Sequence, residues 1–175
     1  MSLAAHRRLK RREKMPRVFR KIASGLFILA TTGCAVSVAQ AHGCTPAQVA
    51  GNYGFTLTGT VVTSAGNISV AAVGRATVGP SGRVIGSEAR SVGGEYADEA
   101  FAGVLTVNSD CTGSITLDFS EGGTPVRTSV LSLVFDENEN EIRMVQKSFT
   151  LPNGSVLPVI ITVEAKRIQE VDRAD

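Results

Sequence analysis

Two runs of alternating residues, joined by a short polar connection, constrain the fold of this chain most strongly. In the first run, from Phe101 to Val107, every second residue is apolar or glycine. In the second, Ile115, Leu117 and Phe119 alternate with polar residues. Period-two alternation on both sides of a turn predicts an antiparallel β-hairpin with one buried face.

Six further segments have the composition of strands, and turn residues separate them. They span residues 51–62, 68–78, 83–92, 126–135, 142–150 and 155–165. Gly-Pro-Ser-Gly at 79–82 and Asn-Gly at 153–154 predict tight turns. We therefore predict an all-β fold, an antiparallel up-and-down meander of about eight strands closed into a β-barrel, because closure removes exposed sheet edges. A two-sheet β-sandwich is the alternative.

The alternation also predicts which side chains face the barrel interior. The predicted interior set consists of large apolar residues: Tyr53, Phe55, Leu57, Phe101, Leu105, Val107, Ile115, Leu117 and Phe119. The predicted exterior set is Thr56, Thr58, Thr116 and Asp118. The last strand is apolar on both faces, which predicts a cover over Val156, Pro158 and Ile160, either the tail at 168–171 or a second subunit.

The first 41 residues are typical of a secretory signal peptide. Nine Lys and Arg with a single acid precede an apolar run over residues 22–38, and Ala39-Gln40-Ala41 offers a cleavage site. We predict a signal peptide at 1–41, a single barrel domain at 42–165, a polar tail at 166–175, and a secreted or periplasmic location. An uncleaved anchor, a lipoprotein processed at Cys34 and a true start at Met15 are alternatives.

Removal of residues 1–41 changes both the charge and the cysteine content. The remainder has nine Lys and Arg against fifteen Asp and Glu, a net charge of −6. No basic patch remains, which disfavours nucleic acid as a partner. Cys44 and Cys111 are the two cysteines left, and in an oxidising compartment they are expected to form a disulfide.

Residues that could carry chemistry are sparse. His42 is the one histidine after residue 41, so a His-based catalytic set or a metal site lacks partners. The acidic run at 136–141 lacks the pattern of an EF-hand and is interpreted as a solvated turn. Tyr53 and Gln146 are predicted to point inward and are the candidate ligand-binding residues. No catalytic residue, metal or cofactor is predicted.

Glu88 and Arg90 are two residues apart and therefore share a face of the third strand. They could line a cavity as a charged pair, or face water. Because that strand has no clear apolar face, the sequence favours the outward orientation for both side chains.

The mature chain resembles a group of uncharacterised secreted bacterial β-rich proteins. The segments that carry the resemblance are GNYGF at 51–55, FAG at 101–103, DCTGS at 110–114, EIRM at 141–144 and AKR at 165–167. This group implies a fold and a compartment, but no activity. The strand count is also similar to that of lipocalin and of allene oxide cyclase or dirigent barrels, and Gly51-x-Tyr53 resembles the lipocalin G-x-W motif.

Three functions are compatible with these observations. The favoured one is an exported, non-catalytic, lipocalin-like barrel that binds a small apolar ligand or a cell-surface component, with a homo-oligomer through residues 155–165 as a possible assembly. The second is a barrel enzyme resembling the cyclases and isomerases of the allene oxide cyclase type, which need a shaped cavity rather than a triad. The third is a purely structural surface protein. A cavity volume discriminates among them.

Overall fold

The computed structural model describes residues 43–136 and 138–169, which form eight antiparallel strands and no helix. The strands are β1 (Gly51–Thr63), β2 (Gly66–Val78), β3 (Arg83–Val92), β4 (Glu95–Val107), β5 (Thr112–Glu121), β6 (Thr124–Asp136), β7 (Glu141–Thr150) and β8 (Val159–Arg167). The predicted signal peptide, Cys34 and His42 lie outside the described residues. Within these residues no helix has the length and hydrophobicity needed to cross a bilayer.

Each strand pairs with its neighbours in sequence, and β1 also pairs with β8, so the sheet closes into a barrel. Leu57 shows the closure, because it lies opposite Ala72 of β2 on one side and Val163 of β8 on the other. The predicted closed β-barrel is therefore confirmed, and the alternative of a two-sheet β-sandwich is wrong.

The barrel interior is filled by the residues that the alternation predicted. Seven of the nine are buried, and Phe55 and Val107 are partly buried against the same core. The four predicted exterior residues are exposed. Glycines provide the space for the rings, since a Cβ at Gly74 would collide with Phe55 and a Cβ at Gly86 would collide with Phe101.

One end of the barrel is sealed by the segment that precedes β1. Cys44 and Cys111 are at disulfide-bonding distance, with Cα atoms 4.9 Å apart, as the sequence predicted. Val49 is fully buried, and its carbonyl accepts a hydrogen bond of 2.8 Å from the Tyr53 hydroxyl. Arg167 fastens this segment to β8, because its Nη1 donates to the carbonyl of Ala50 over 2.9 Å. This segment, residues 43–50, which we call the plug, therefore belongs to the folded barrel.

Strand β8 begins later and ends later than predicted. It starts at Val159, after Pro158, which has no N–H to donate to a ladder, and it continues through Arg167. Ile160 is 69% exposed and Val156 63% exposed, so neither is covered by the residues that the structure describes.

The tail does not provide the predicted cover as far as residue 169. The N–H of Ile168 donates to the carbonyl of Asn52 near the start of β1, whereas Ile160 pairs with Thr60 near its end. Cover by a second subunit stays a prediction, which the mass of the protein in solution would test.

Candidate functional site

Four charged side chains converge inside the barrel, towards the end opposite the plug. Glu88 and Arg90 come from β3, Glu99 from β4 and Arg127 from β6. Strand alternation directs these side chains inward. Glu88 lies on the same face of β3 as buried Val84, and Glu99 lies on the same face of β4 as buried Phe101, two residues further on. We call these four residues the charged cluster.

Arg127 joins the two carboxylates. Its Nη2 donates to Oε1 of Glu88 over 2.6 Å, and its Nη1 pairs with Oε2 of Glu99. The Nε of Arg90 donates to Oε1 of Glu99 over 2.9 Å, and its Nη2 contacts the same oxygen. Glu99, Glu88 and Arg127 are only 2%, 4% and 6% exposed. Buried charges require such partners, because water no longer solvates them.

Aromatic rings complete the surroundings of Arg127. Its guanidinium carbon lies 3.6 Å from the centroid of the Phe119 ring and 5.5 Å from that of Phe149. Both distances are within the range of cation–π attraction. Arg127 reaches across β5, over Phe119, to carboxylates on β4 and β3, so one side chain links four consecutive strands.

A β-bulge determines the orientation of Phe149 on β7, whereas Arg127 on β6 follows simple alternation. Arg127 lies opposite Phe119 and continues the alternation of buried Leu131 and Ser129 along β6, so it points inward with them. The β5–β6 register shift comes only after this pair, between Phe119 and Ser120. The β6–β7 register shifts between Val130 and Leu131, which leaves Phe149 buried although simple alternation from Gln146 would turn it outward.

Burial raises the pKa of Glu88 above that of an ordinary glutamate, and the neighbouring charge of Glu99 raises it further. The guanidinium of Arg127 opposes this shift, with a smaller contribution from Arg90. Glu88 therefore takes up a proton at a higher pH than a solvated carboxyl does.

The charged cluster separates two cavities. The interior cavity has a volume of about 70 Å³. This is less than the roughly 150 Å³ of an apolar cavity that holds benzene. The second cavity, which we call the mouth, has a volume of about 300 Å³. Arg90, Arg127 and Phe149 line both cavities and therefore form the floor of the mouth.

The walls of the mouth are almost entirely apolar. Besides its floor, the mouth is lined by Val61, Thr63, Ile68, Val92, Val126, Leu151 and Leu157. These residues come from the ends of strands and from the connection between β7 and β8. The mouth thus combines an apolar wall with a floor of two guanidinium groups, an arrangement suited to a small ligand.

The predicted ligand-binding residues, Tyr53 and Gln146, both line the interior cavity. Their polar groups are engaged by the protein, since Gln146 Nε2 donates to Ser129 Oγ over 3.0 Å and the Tyr53 hydroxyl accepts from Arg167 over 3.0 Å. Burial raises the pKa of Tyr53, and Arg167 partly offsets this. Neither residue lines the mouth, so their role in ligand binding stays a prediction.

The outward orientation expected for Glu88 and Arg90 is wrong. Both line the interior cavity, because alternation on β3 follows Val84 rather than an obvious apolar face. Sequence reasoning also missed Glu99 and Arg127. The alternation of apolar residues contained a signal for each. Glu99 falls on the inward face of β4 with Phe101, and Arg127 falls on the inward face of β6 with Leu131.

The other groups of residues that could bind a metal ion already make contacts within the protein. Cys44, Cys111 and Glu139 lie close enough together to hold a metal ion, but both sulfur atoms belong to the disulfide pair. In the acidic turn, Asp136 and Glu141 pair with Arg143 Nε at 3.2 and 3.0 Å. The interpretation of the run as a solvated turn stays a prediction, and Glu141 at its end is buried, with 6% exposure.

Comparison with known proteins places the fold but not the family. No protein-family model and no curated protein matches the chain. One similar solved chain is described as "Structure of EF1p2_mFAP2b bound to DFHBI". It is 11% identical, with a TM-score of 0.50, and the match covers 71% of this chain and 100% of that chain. At this identity the likeness concerns the barrel fold alone.

Proposed function

We propose that this protein is an exported, non-catalytic β-barrel that binds a small, largely apolar ligand at its mouth. The observation that carries the proposal is the mouth itself, a cavity of about 300 Å³ with apolar walls and an arginine floor. Burying apolar ligand surface against such walls provides the driving force, and a few polar groups orient the ligand.

The proposed compartment rests on the sequence and on the cysteines. The first 41 residues have the pattern of a cleavable signal peptide. The Cys44–Cys111 pair is a feature that persists in oxidising compartments. The similar solved barrel is described as bound to the small molecule DFHBI, which supports ligand binding at the level of the fold.

A cyclase or isomerase mechanism receives less support than binding. The filled interior, at about 70 Å³, has no room for a substrate. At the mouth, the polar groups of the floor are guanidinium groups whose carboxylate partners lie behind them. No described residue combines a nucleophile with an adjacent free base at this site, so the floor is better suited to orient a ligand than to transform it.

Titration with a neutral, environment-sensitive dye such as Nile red tests the proposal. The full chain is expressed in a bacterium that exports it, and N-terminal sequencing of the product shows whether cleavage follows Ala41. We expect saturable dye binding. Leu157→Trp, which fills the mouth, should abolish it, whereas Ile160→Trp on the exposed outer face should not. Absence of saturable binding, or equal loss in both variants, would leave the structural role as the better account.

A further inference from the structure

We propose that the ligand of the mouth is an apolar monocarboxylate whose carboxylate is received by Arg90, an inference that rests on the function proposed above. The first support is the polarity of the floor. Arg90 and Arg127 line the mouth, whereas neither Glu88 nor Glu99 does. The arginines of the ion pairs therefore border the mouth, and the glutamates lie behind them.

The second support is the unused hydrogen-bonding capacity of Arg90. Its Nε and Nη2 both donate to Glu99, which leaves Nη1 without an acceptor among the described residues. By contrast, both terminal nitrogens of Arg127 are engaged, one with each glutamate. The side chain of Arg90 is 18% exposed and that of Arg127 only 4%, so Arg90 is the arginine that a ligand can reach.

The third support is the contrast between the floor and the walls. The other lining residues of the mouth offer one hydroxyl, that of Thr63, and otherwise apolar side chains. A ligand with a single anionic end and an apolar remainder would satisfy both parts of the cavity. A guanidinium group binds a carboxylate through charge-assisted hydrogen bonds, and burial at the mouth reduces the competition from water.

Other anions fit the mouth less well. A phosphate head carries up to two negative charges, whereas the accessible part of the floor offers one terminal nitrogen without an acceptor, Nη1 of Arg90. A cation would meet the guanidinium groups first, and like charges would repel each other. The mouth therefore favours a ligand whose head group carries one negative charge over one that carries two, and an anionic ligand over a cationic one.

The decisive measurement compares decanoate, 1-decanol and decylammonium as competitors of Nile red on the exported, full-length protein. These three probes share a ten-carbon chain and differ in the head group. We expect decanoate to bind at least about tenfold more tightly than decanol, the scale of one charge-assisted hydrogen bond, and decylammonium to bind most weakly. Arg90→Gln should reduce the preference for decanoate over decanol to about twofold or less, with decanol unchanged.

Arg143→Gln is the matched control, because Arg143 is an exposed arginine on the outer surface, and it should leave all three affinities unchanged. If Arg90→Gln does not fold, the comparison of the three probes on the unmodified protein still decides the question. Equal binding of decanoate and decanol, or preference for decylammonium, would overturn the carboxylate inference while leaving the binding function intact. If neither Nile red nor any probe binds, the proposed function itself fails.

Discussion

Replacement of Arg127 by methionine tests whether the charged cluster governs the stability of this barrel. Arg127 is the short-range partner of Glu88 and one of two partners of Glu99. In Arg127→Met, Arg90 still donates twice to Glu99 but remains 4.0 Å from Glu88. The uncompensated buried charge is therefore that of Glu88, which is 4% exposed.

The expected loss follows from that burial. Removing one partner of a buried ion pair costs about 3–5 kcal/mol. We expect a loss near the lower end, about 3 kcal/mol at pH 8, because methionine can retain packing on Phe119 and Glu99 keeps a partner. Guanidinium chloride unfolding, followed by far-ultraviolet circular dichroism, measures the free energy of unfolding.

The pH dependence distinguishes an electrostatic loss from a packing defect. Burial already raises the pKa of Glu88 above its unfolded value, and Arg127 opposes that rise, so the pKa should rise further in Arg127→Met. A carboxyl whose folded pKa is raised stabilises the fold below its unfolded pKa and loses this contribution as the pH rises. The difference between variant and parent should therefore be greatest near pH 8 and shrink towards pH 5.

Two further variants complete this experiment. Arg127→Met combined with Glu88→Gln should recover most of the loss, because no unpaired buried charge remains. Arg143→Met should change stability little, since its side chain is 58% exposed and exposed ion pairs contribute little. A loss below about 1 kcal/mol at pH 8, or one that does not vary with pH, would refute the reasoning.

Three other predictions concern the plug and the sheet. Replacing both Cys44 and Cys111 by serine should reduce the free energy of unfolding by about 4 kcal/mol on the chain-entropy relation, because the two cysteines are 67 residues apart in sequence. Adding a reductant to this variant should not destabilise it further. Gly103→Ala should lower the melting temperature, since its Cβ would collide with the main chain of β5, whereas Gly79→Ala, with ordinary contacts, should not. Tyr53→Phe should cost about 1–2 kcal/mol in urea unfolding, because a buried carbonyl loses its donor.

Local patterns in the sequence predicted eight strands, the disulfide, and a closed barrel with a sandwich as the alternative. The pairing of β1 with β8 decided in favour of the barrel. Alternation around the turn near Cys111 specifies which residues of β4 and β5 face inward, because a strand has a side-chain period of two. Gly-Pro-Ser-Gly and Asn-Gly specify where the chain turns. Once residues 1–41 are set aside as a predicted signal peptide, two cysteines remain, so the pairing of Cys44 with Cys111 required no knowledge of the fold.

The position of the charged cluster inside the barrel depends on tertiary structure. A short sequence pattern assigns a polar residue to water unless its partners are known, so Glu88 and Arg90 were expected to face outward. Their partners, Glu99 and Arg127, lie on other strands and meet them only when the barrel closes. The bulge that turns Phe149 inward beside Arg127 is a property of the pairing between β6 and β7. An inward charge is stable only with its counter-charges in place, and those come from parts of the chain that no local pattern connects.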